Sequence, residues 1–306
     1  MNNSEIKDFN NNGFLISESP IDASYIKKAI DSFNKIKQKV FKGEYKFFRV
    51  YDDYTQNPNI SGIEMVFHPK IINQNIIQLL NNSKIINYAQ SILGKDIKLT
   101  LSRYHLTENI SHVGNWHRDC PVGEDINSIQ INYYLFDEKG IQVVPNSHVE
   151  EISTEDLMRI KKYPYDSIKN SKYIEMKQNQ ILIFNPAIFH RGICLYKRAN
   201  LHFRFEKCKN IKNSSCELDD KGKKKLFQNI KLSEEWEKVI FSKDTIIVSN
   251  EIKEYKKSKN IKTKILRFLR LIVYNTLFFL SFNFWIYRKL NVRPNLKLRK
   301  FFKIQD

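Results

Sequence analysis

The sequence predicts a mainly β protein with flanking helices, built as an antiparallel sandwich or barrel. Three observations predict it. From Ile97 to Phe205, short runs rich in β-branched and aromatic residues follow one another, separated by turn residues rather than by helical stretches. The clear helical periodicities are gathered before Gly94. Finally, 306 residues that are 42% apolar and 13% aromatic can bury a large core, which excludes wholesale disorder.

The elements follow in order. Met1 to Phe14 is Asn-rich and carries no apolar signal-peptide core, so no secretory signal is expected. Asp22 to Val40 reads as a helix, with Ile26, Ile30, Phe33, Ile36 and Val40 on one face. Ile71 to Leu93 reads as a second helix, broken near Asn81-Asn82-Ser83 and stopped by Gly94. Strands are expected at Lys98–Leu106, Ile129–Phe136, Ile141–Val144, Gln180–Phe184 and Ala199–Phe205. Asp137-Glu138-Lys139-Gly140 reads as the turn of a hairpin. With only nine glycines in the chain, the turns must rest on Asn, Asp and Pro.

Charge divides the chain. The formal net charge is +18, and residues 251–306 hold fifteen Lys/Arg against three acids. Lys207 to Lys225 is a polar, Lys-rich stretch. The expected organisation is a domain over 1–206, a linker or cap over 207–250, and a basic helical extension over 251–306. Within the extension, Leu271 to Tyr287 has no charged residue; as a helix it spans about 26 Å, short of a bilayer core of about 30 Å. Flanking Lys and Arg, with Tyr274, Trp285 and Tyr287, fit a peripheral anchor on anionic lipid through residues 260–306. A helical cap packed on the domain is the equal alternative. Nucleic acid is a poorer partner, because apolar and aromatic residues dominate the segment. Four cysteines without a C-x-x-C pair exclude a disulfide framework and a zinc knuckle, and imply a reducing, cytoplasmic setting, with the tail at the inner membrane face if the anchor reading holds.

The chemistry-bearing feature is Trp116-His117-Arg118-Asp119. On a strand, positions i and i+2 share a face, so His117 and Asp119 could grip one metal. Far downstream, the apolar run Ile181–Phe184 delivers His190, followed by Gly192; His190 is the candidate third ligand. Two imidazoles and a carboxylate on one face of an octahedron leave positions for an oxoacid and dioxygen. Arg198 could hold the far carboxylate of such an acid with a planar guanidinium, and Arg204, six residues on and on the same strand face, is the rival anchor. His148 reads as structural, His202 as packed or near the cofactor edge, and Cys120 as an ordinary buried thiol. His105 and His112, with Arg103 and Tyr104, lie where a strand would line the site mouth.

Taken together, these motifs resemble the phytanoyl-CoA dioxygenase family over roughly residues 8 to 206. The shared series is Phe9 with Gly13-Phe14, then His68-Pro69 leading to Leu93-Gly94-Lys95-Asp96, then Trp116 to Asp119, Asp137 to Gly140, Val144-Pro145-Asn146-Ser147-His148, His190 and Arg198. Asn146 stands where the family carries Gly, Arg118 where Gln is commoner, and the His190-to-Arg198 spacing is shorter than usual. The resemblance implies a double-stranded β-helix (jelly-roll, cupin-like), Fe(II) at His117, Asp119 and His190, and 2-oxoglutarate on Arg198. It implies consumption of O2 and hydroxylation of a small molecule or, given the basic tail, an envelope glycolipid. A non-catalytic sugar- or lipid-binding β-helix, and a metal-dependent isomerase, are the alternative readings.

Overall fold

The computed structural model describes residues 1–41, 50–52, 60–64, 66–67, 72–113, 115–122, 126–163, 166–208 and 231–241. The basic extension 251–306, most of 207–250, His68-Pro69 and the side chain of His112 lie outside the described residues. No helix among the described residues is long and apolar enough to cross a membrane.

Helix α1 (Asn3–Asn12) opens the chain under an Asn2–Glu5 capping box and ends on Gly13, whose φ of 78° is left-handed. Strand β1 (Phe14–Glu18) follows, then α2 (Ala23–Phe41), the short strands β2 (Val50–Asp52) and β3 (Ile60–Glu64), and helices α3 (Gln74–Asn82) and α4 (Ile85–Leu93). The break expected near Asn81–Ser83 is real: α3 closes on Ser83 and α4 restarts two residues later. Two long strands dominate the rest, β4 (Ile97–Val113) and β9 (His190–Lys207). Between them lie β5 (Ser128–Tyr134), β6 (Glu138–Val143), α5 (Thr154–Lys162), β7 (Lys172–Met176) and β8 (Gln180–Phe184); α6 (Glu234–Phe241) comes last.

The strands form a double-stranded β-helix with antiparallel pairing throughout. The main sheet runs β1-β8-β5-β9-β4-β3-β2, while β7 and β6 pair with the first residues of β9 on the opposing side. Because β9 is eighteen residues long, it takes part in both sheets.

Strand alternation divides the burial. Ile129, Ile131, Tyr133, Ile181, Ile183, Ala199, Leu201, Phe203 and Phe205 face outward, into a core shared with α2, α3, α4 and α6. Phe33 of α2 and Trp236 of α6 are fully buried there. Trp236 lies against Phe67, Phe203 and Phe205, and its indole N–H donates to the Leu80 carbonyl at 3.0 Å. The intervening residues, Gln130, Asn132, Leu182, Phe184, Arg198, Asn200, His202 and Arg204, therefore face the barrel interior.

One turn expectation fails. Asp137 to Gly140 is not a hairpin turn; Glu138 already begins β6, which pairs with β7 and β9 and not with β5. The reason is tertiary: Asp137 caps the neighbouring turn, accepting from the Gln178 backbone and Lys177, and Glu138 is drawn inward by groups on β9. The expectation about turns does hold. Every non-glycine residue with positive φ among the described residues is an asparagine: Asn146, Asn170 and Asn179. Asn146, at φ 64°, thus adopts the geometry that glycine would supply.

Candidate metal centre

Three side chains that are remote in sequence converge where β4 ends and β9 begins. His117 and His190 exchange both backbone hydrogen bonds, N to O at 2.9 Å in each direction, as an isolated bridge. Asp119 is not on a strand with His117; it is held by its own backbone N–H, which donates to Pro186 O at 2.9 Å. One candidate ligand atom from each of His117, Asp119 and His190 lies within 4.8 Å of the others. Nε2 of His117 is 3.9 Å from Asp119 Oδ1, and Nε2 of His190 is 3.8 Å from Asp119 Oδ2.

Local packing sets this geometry. Trp116 stacks on Phe189 with centroids 5.7 Å apart, carries the Arg191 guanidinium on its ring at 4.7 Å, and donates its indole N–H to Asp166 O. Those contacts pin the residues next to His117 and His190. Each histidine also presents Nδ1 to a carbonyl two residues earlier: His117 to Asn115 O and His190 to Ile188 O, both at 2.8 Å. A carbonyl can only accept, so Nδ1 carries the proton in both rings and the Nε2 lone pairs face Asp119. Burial, with the neighbouring His117, lowers the His190 pKa to about 4, which keeps that ring neutral and able to donate a lone pair.

Asp119 has its own supports. Burial pushes its pKa up, but His190, a hydrogen bond from Gln130, Arg204 and His117 together hold it below the usual carboxylate range. Arg204 Nη2 lies 3.0 Å from Asp119 Oδ2, and Gln130 Nε2 donates to the same oxygen. Because Gln130 uses its amide N–H there, its Oε1 accepts from His202 Nε2. Burial, Arg103, His105 and Arg204 keep the His202 pKa well below the ordinary histidine value. A neutral His202 thus fixes the amide that fixes the carboxylate.

Arg204 therefore sits with the three candidate ligands, and Arg198 does not. Arg198 lies deeper on the same inner face, with Nη2 donating to Gly140 O and, at 2.8 Å, to Ile193 O. Its Nε is 3.8 Å from Oε1 of the buried Glu138. Both arginine Nη atoms lie 3.8 Å from the point where a Cβ on Gly192 would project, so the Arg198 guanidinium reaches back along β9 to lie beside Gly192, two residues from His190.

Other expectations resolve as follows. Arg118 points away from the centre; it donates to the carbonyls of Ala187, Ser147 and Glu150 and pairs with Glu151 at 3.2 Å, bracing the turn at 147–151. His148 is structural: it bonds Asn10 O at 2.9 Å, and a Cβ on Gly13 would lie 2.5 Å from its ring. Cys120 is half-buried rather than buried. Gln130, Glu138 and Asn200 went unassigned in the sequence. The signal for them was the polar set Gln130-Asn132 and Asn200-His202-Arg204 alternating with apolar residues on otherwise apolar strands.

No protein-family model matches the chain, and no curated protein sequence matches it. Solved structures do. AviO1 from Streptomyces viridochromogenes Tue57 superposes with TM-score 0.51 at 14% identity, over 67% of this chain and 94% of that one. EctD from S. alaskensis, solved with 2-oxoglutarate and 5-hydroxyectoine, gives TM-score 0.52 at 14% identity over 68% of this chain and 76% of that one. The same enzyme with bound Fe gives TM-score 0.52 at 14% identity. At such identity, the likeness establishes a shared fold.

Proposed function

We propose that the chain is an Fe(II)- and 2-oxoglutarate-dependent oxygenase, and that His117, Asp119 and His190 are its metal ligands. The observation that carries this reading is the donor set itself: one ligand atom from each of two imidazoles and one carboxylate, all within 4.8 Å of one another. Two imidazoles and a carboxylate suit Fe(II) and leave coordination positions open. A fold neighbour solved with Fe, and with 2-oxoglutarate beside 5-hydroxyectoine, supports the same cofactors here. The ordered motifs shared with the phytanoyl-CoA dioxygenase family add to this support.

When bound, iron and 2-oxoglutarate would activate O2 and supply the oxidation. The chain's own residues do the rest. Gln130 and Arg204 hold Asp119 in place, His202 holds Gln130, and the two carbonyls hold the imidazoles in the ligating tautomer. Arg198 is the anchor for the distal carboxylate of the oxoacid, because it shares the inner face with His190 and its guanidinium lies beside Gly192, two residues from that ligand. Arg204, committed to Asp119, positions a ligand instead. Phe184 packs edge-on to His190 at 5.3 Å, helping to exclude water from that side, while His117, its side chain 48% exposed, marks the open side. With Asp119 filling the third protein position, the reaction is hydroxylation of a C–H bond or another two-electron oxidation, not halide transfer.

The basic 251–306 segment extends the reading to an anionic membrane surface and a lipid-linked substrate. Flotation with anionic liposomes, with and without residues 260–306, tests that extension; equal behaviour of the two forms removes it. The central test is succinate release from 2-oxoglutarate by the anaerobically Fe(II)-loaded protein after air is admitted. Turnover lost in Asp119→Ala supports the oxygenase. Metal binding with no succinate under any condition favours a non-catalytic binder.

A further inference from the structure

Behind Arg198 lies a second polar cluster with no part in metal binding. Glu138 is buried, its side chain 2% exposed, on a strand that otherwise packs Ile141 and Val143 into the interior. Its Oε1 accepts from Asn200 Nδ2 at 2.5 Å and its Oε2 from the Ala199 backbone N–H at 3.1 Å. Asn200 Oδ1 accepts in turn from His105 Nδ1 at 3.0 Å.

Two donors in this cluster have no hydrogen-bond acceptor among the described residues. Arg198 Nε is buried without a hydrogen-bond acceptor, since Glu138 at 3.8 Å is too far. The Tyr134 hydroxyl, also buried, makes no hydrogen bond of normal geometry among the described residues, its polar neighbour on β5 being the Asn132 side chain. Both border Gly140, where an added Cβ would lie 2.6 Å from Glu138 Oε1 and 3.2 Å from Tyr134 Oη. A glycine at this point keeps the cluster open, and orphaned buried donors mark a place built for an acceptor.

The difficulty is charge. A carboxylate brought to Arg198 would also meet the Glu138 carboxyl, and two ionised carboxylates in one buried site cannot coexist cheaply. We infer that Glu138 receives the co-substrate as a neutral acid, so that Glu138, Tyr134 and the Arg198 guanidinium together form the cradle for the distal carboxylate of an oxodiacid, which binds with uptake of one proton. This inference rests on the oxygenase reading above.

The surroundings agree. Burial raises the Glu138 pKa to about 7, with Arg198, Asn200 and the Ala199 N–H pulling the other way. From β5, Tyr134 faces Glu138 with its own pKa driven up by burial, so it stays a donor. From β9, Arg198 is the facing charge; from β7, the paired residue is Met176, which is apolar. His105 of β4 stands beyond Asn200 and is held neutral by burial, Arg103 and Arg198. Glu138 is therefore the group in the cluster poised to change charge near neutral pH. Free protein loses the Glu138 proton above about pH 7, and the bound anion returns it, so affinity should fall about tenfold per pH unit in that range.

The test is calorimetric titration of 2-oxoglutarate into the full-length Mn(II)-loaded protein, in two buffers of different ionisation enthalpy, from about pH 6 to about pH 8.5. The expected result is uptake of close to one proton at the alkaline end and almost none at the acid end. Glu138→Gln should bind without proton uptake, with a pH-independent Kd about 30-fold tighter than the parent at the alkaline end. Tyr134→Phe, which keeps the ring, should bind about tenfold more weakly with unchanged proton uptake. Binding by the parent protein without uptake, or loss of binding in Glu138→Gln with Tyr134→Phe unaffected, overturns the inference alone. No binding of 2-oxoglutarate at any pH overturns the oxygenase reading and this inference with it.

Discussion

His117 and His190 are joined through their main chains, each N–H donating to the other's carbonyl at 2.9 Å. The ring centroids are consequently 4.4 Å apart although the residues are far apart in sequence, one following the end of β4 and the other opening β9. The pair is held by backbone, so it survives loss of a side chain. His117→Ala should therefore abolish tight Fe(II) or Mn(II) binding, by more than about 100-fold, while leaving the fold intact. Metal titration with circular dichroism and thermal unfolding checks this. A large drop in Tm in the metal-free variant would mean that the imidazole, rather than the bridge, orders the junction.

Asp119 is aimed by Gln130, and Gln130 by His202. Gln130→Leu should weaken metal binding by about 10- to 100-fold, the usual effect of losing an outer partner of a ligand. His202→Phe should do the same to a smaller degree, since it acts only through the amide. The double variant should be no worse than Gln130→Leu alone, because the two residues form one chain. Additive losses measured by metal titration would separate them.

Much of this was legible in the sequence, and the misses have a common cause. Ala199, Leu201, Phe203 and Phe205 alternate strictly, and that period alone assigns their face. His190 could be placed because an apolar strand and Gly192 bracket it. Asp137 to Gly140 was misread because Asp, Glu, Lys and Gly favour turns locally, whereas Glu138 answers to Arg198 and Asn200, some sixty residues away. His117 to Asp119 looked like a strand for the same reason: two residues apart on one face is a strand pattern, but here a single bridge and the Pro186 carbonyl do the aligning. Partners remote in sequence leave no local signature.

Helix α6 closes the outward core. Trp236 is 2% exposed, lies among three phenylalanines and has its indole N–H satisfied by Leu80 O. Trp236→Ala should cost about 3–5 kcal/mol of stability, measured by urea unfolding. Metal binding at saturating Mn(II) should be retained, because this core lies on the far side of the sheet from Asp119. Weakened metal binding under conditions where the variant is fully folded would show that α6 also tensions β9.

Acid stability follows from the buried imidazoles. His105 and His202 have pKa values well below the ordinary 6.5, chiefly through burial. For such groups the unfolded chain binds protons more readily, so their contribution is complete above about pH 6.5 and is lost as pH falls toward the folded value. Glu138 works in the opposite sense: its raised pKa favours the folded state in acid, and that contribution fades as pH rises through about 7. With His190, whose pKa is lowered to about 4, three histidines against one raised carboxyl leave a net loss of stability on acidification from about pH 6.5 to about pH 5. His105→Gln can keep the hydrogen bond to Asn200 Oδ1 but cannot titrate. Its urea midpoint should fall less steeply over that interval, by up to about 1.4 kcal/mol per pH unit. Glu138→Gln should fall more steeply than the parent, since the opposing group is gone. Parallel profiles for all three proteins would show that protonation elsewhere governs acid unfolding.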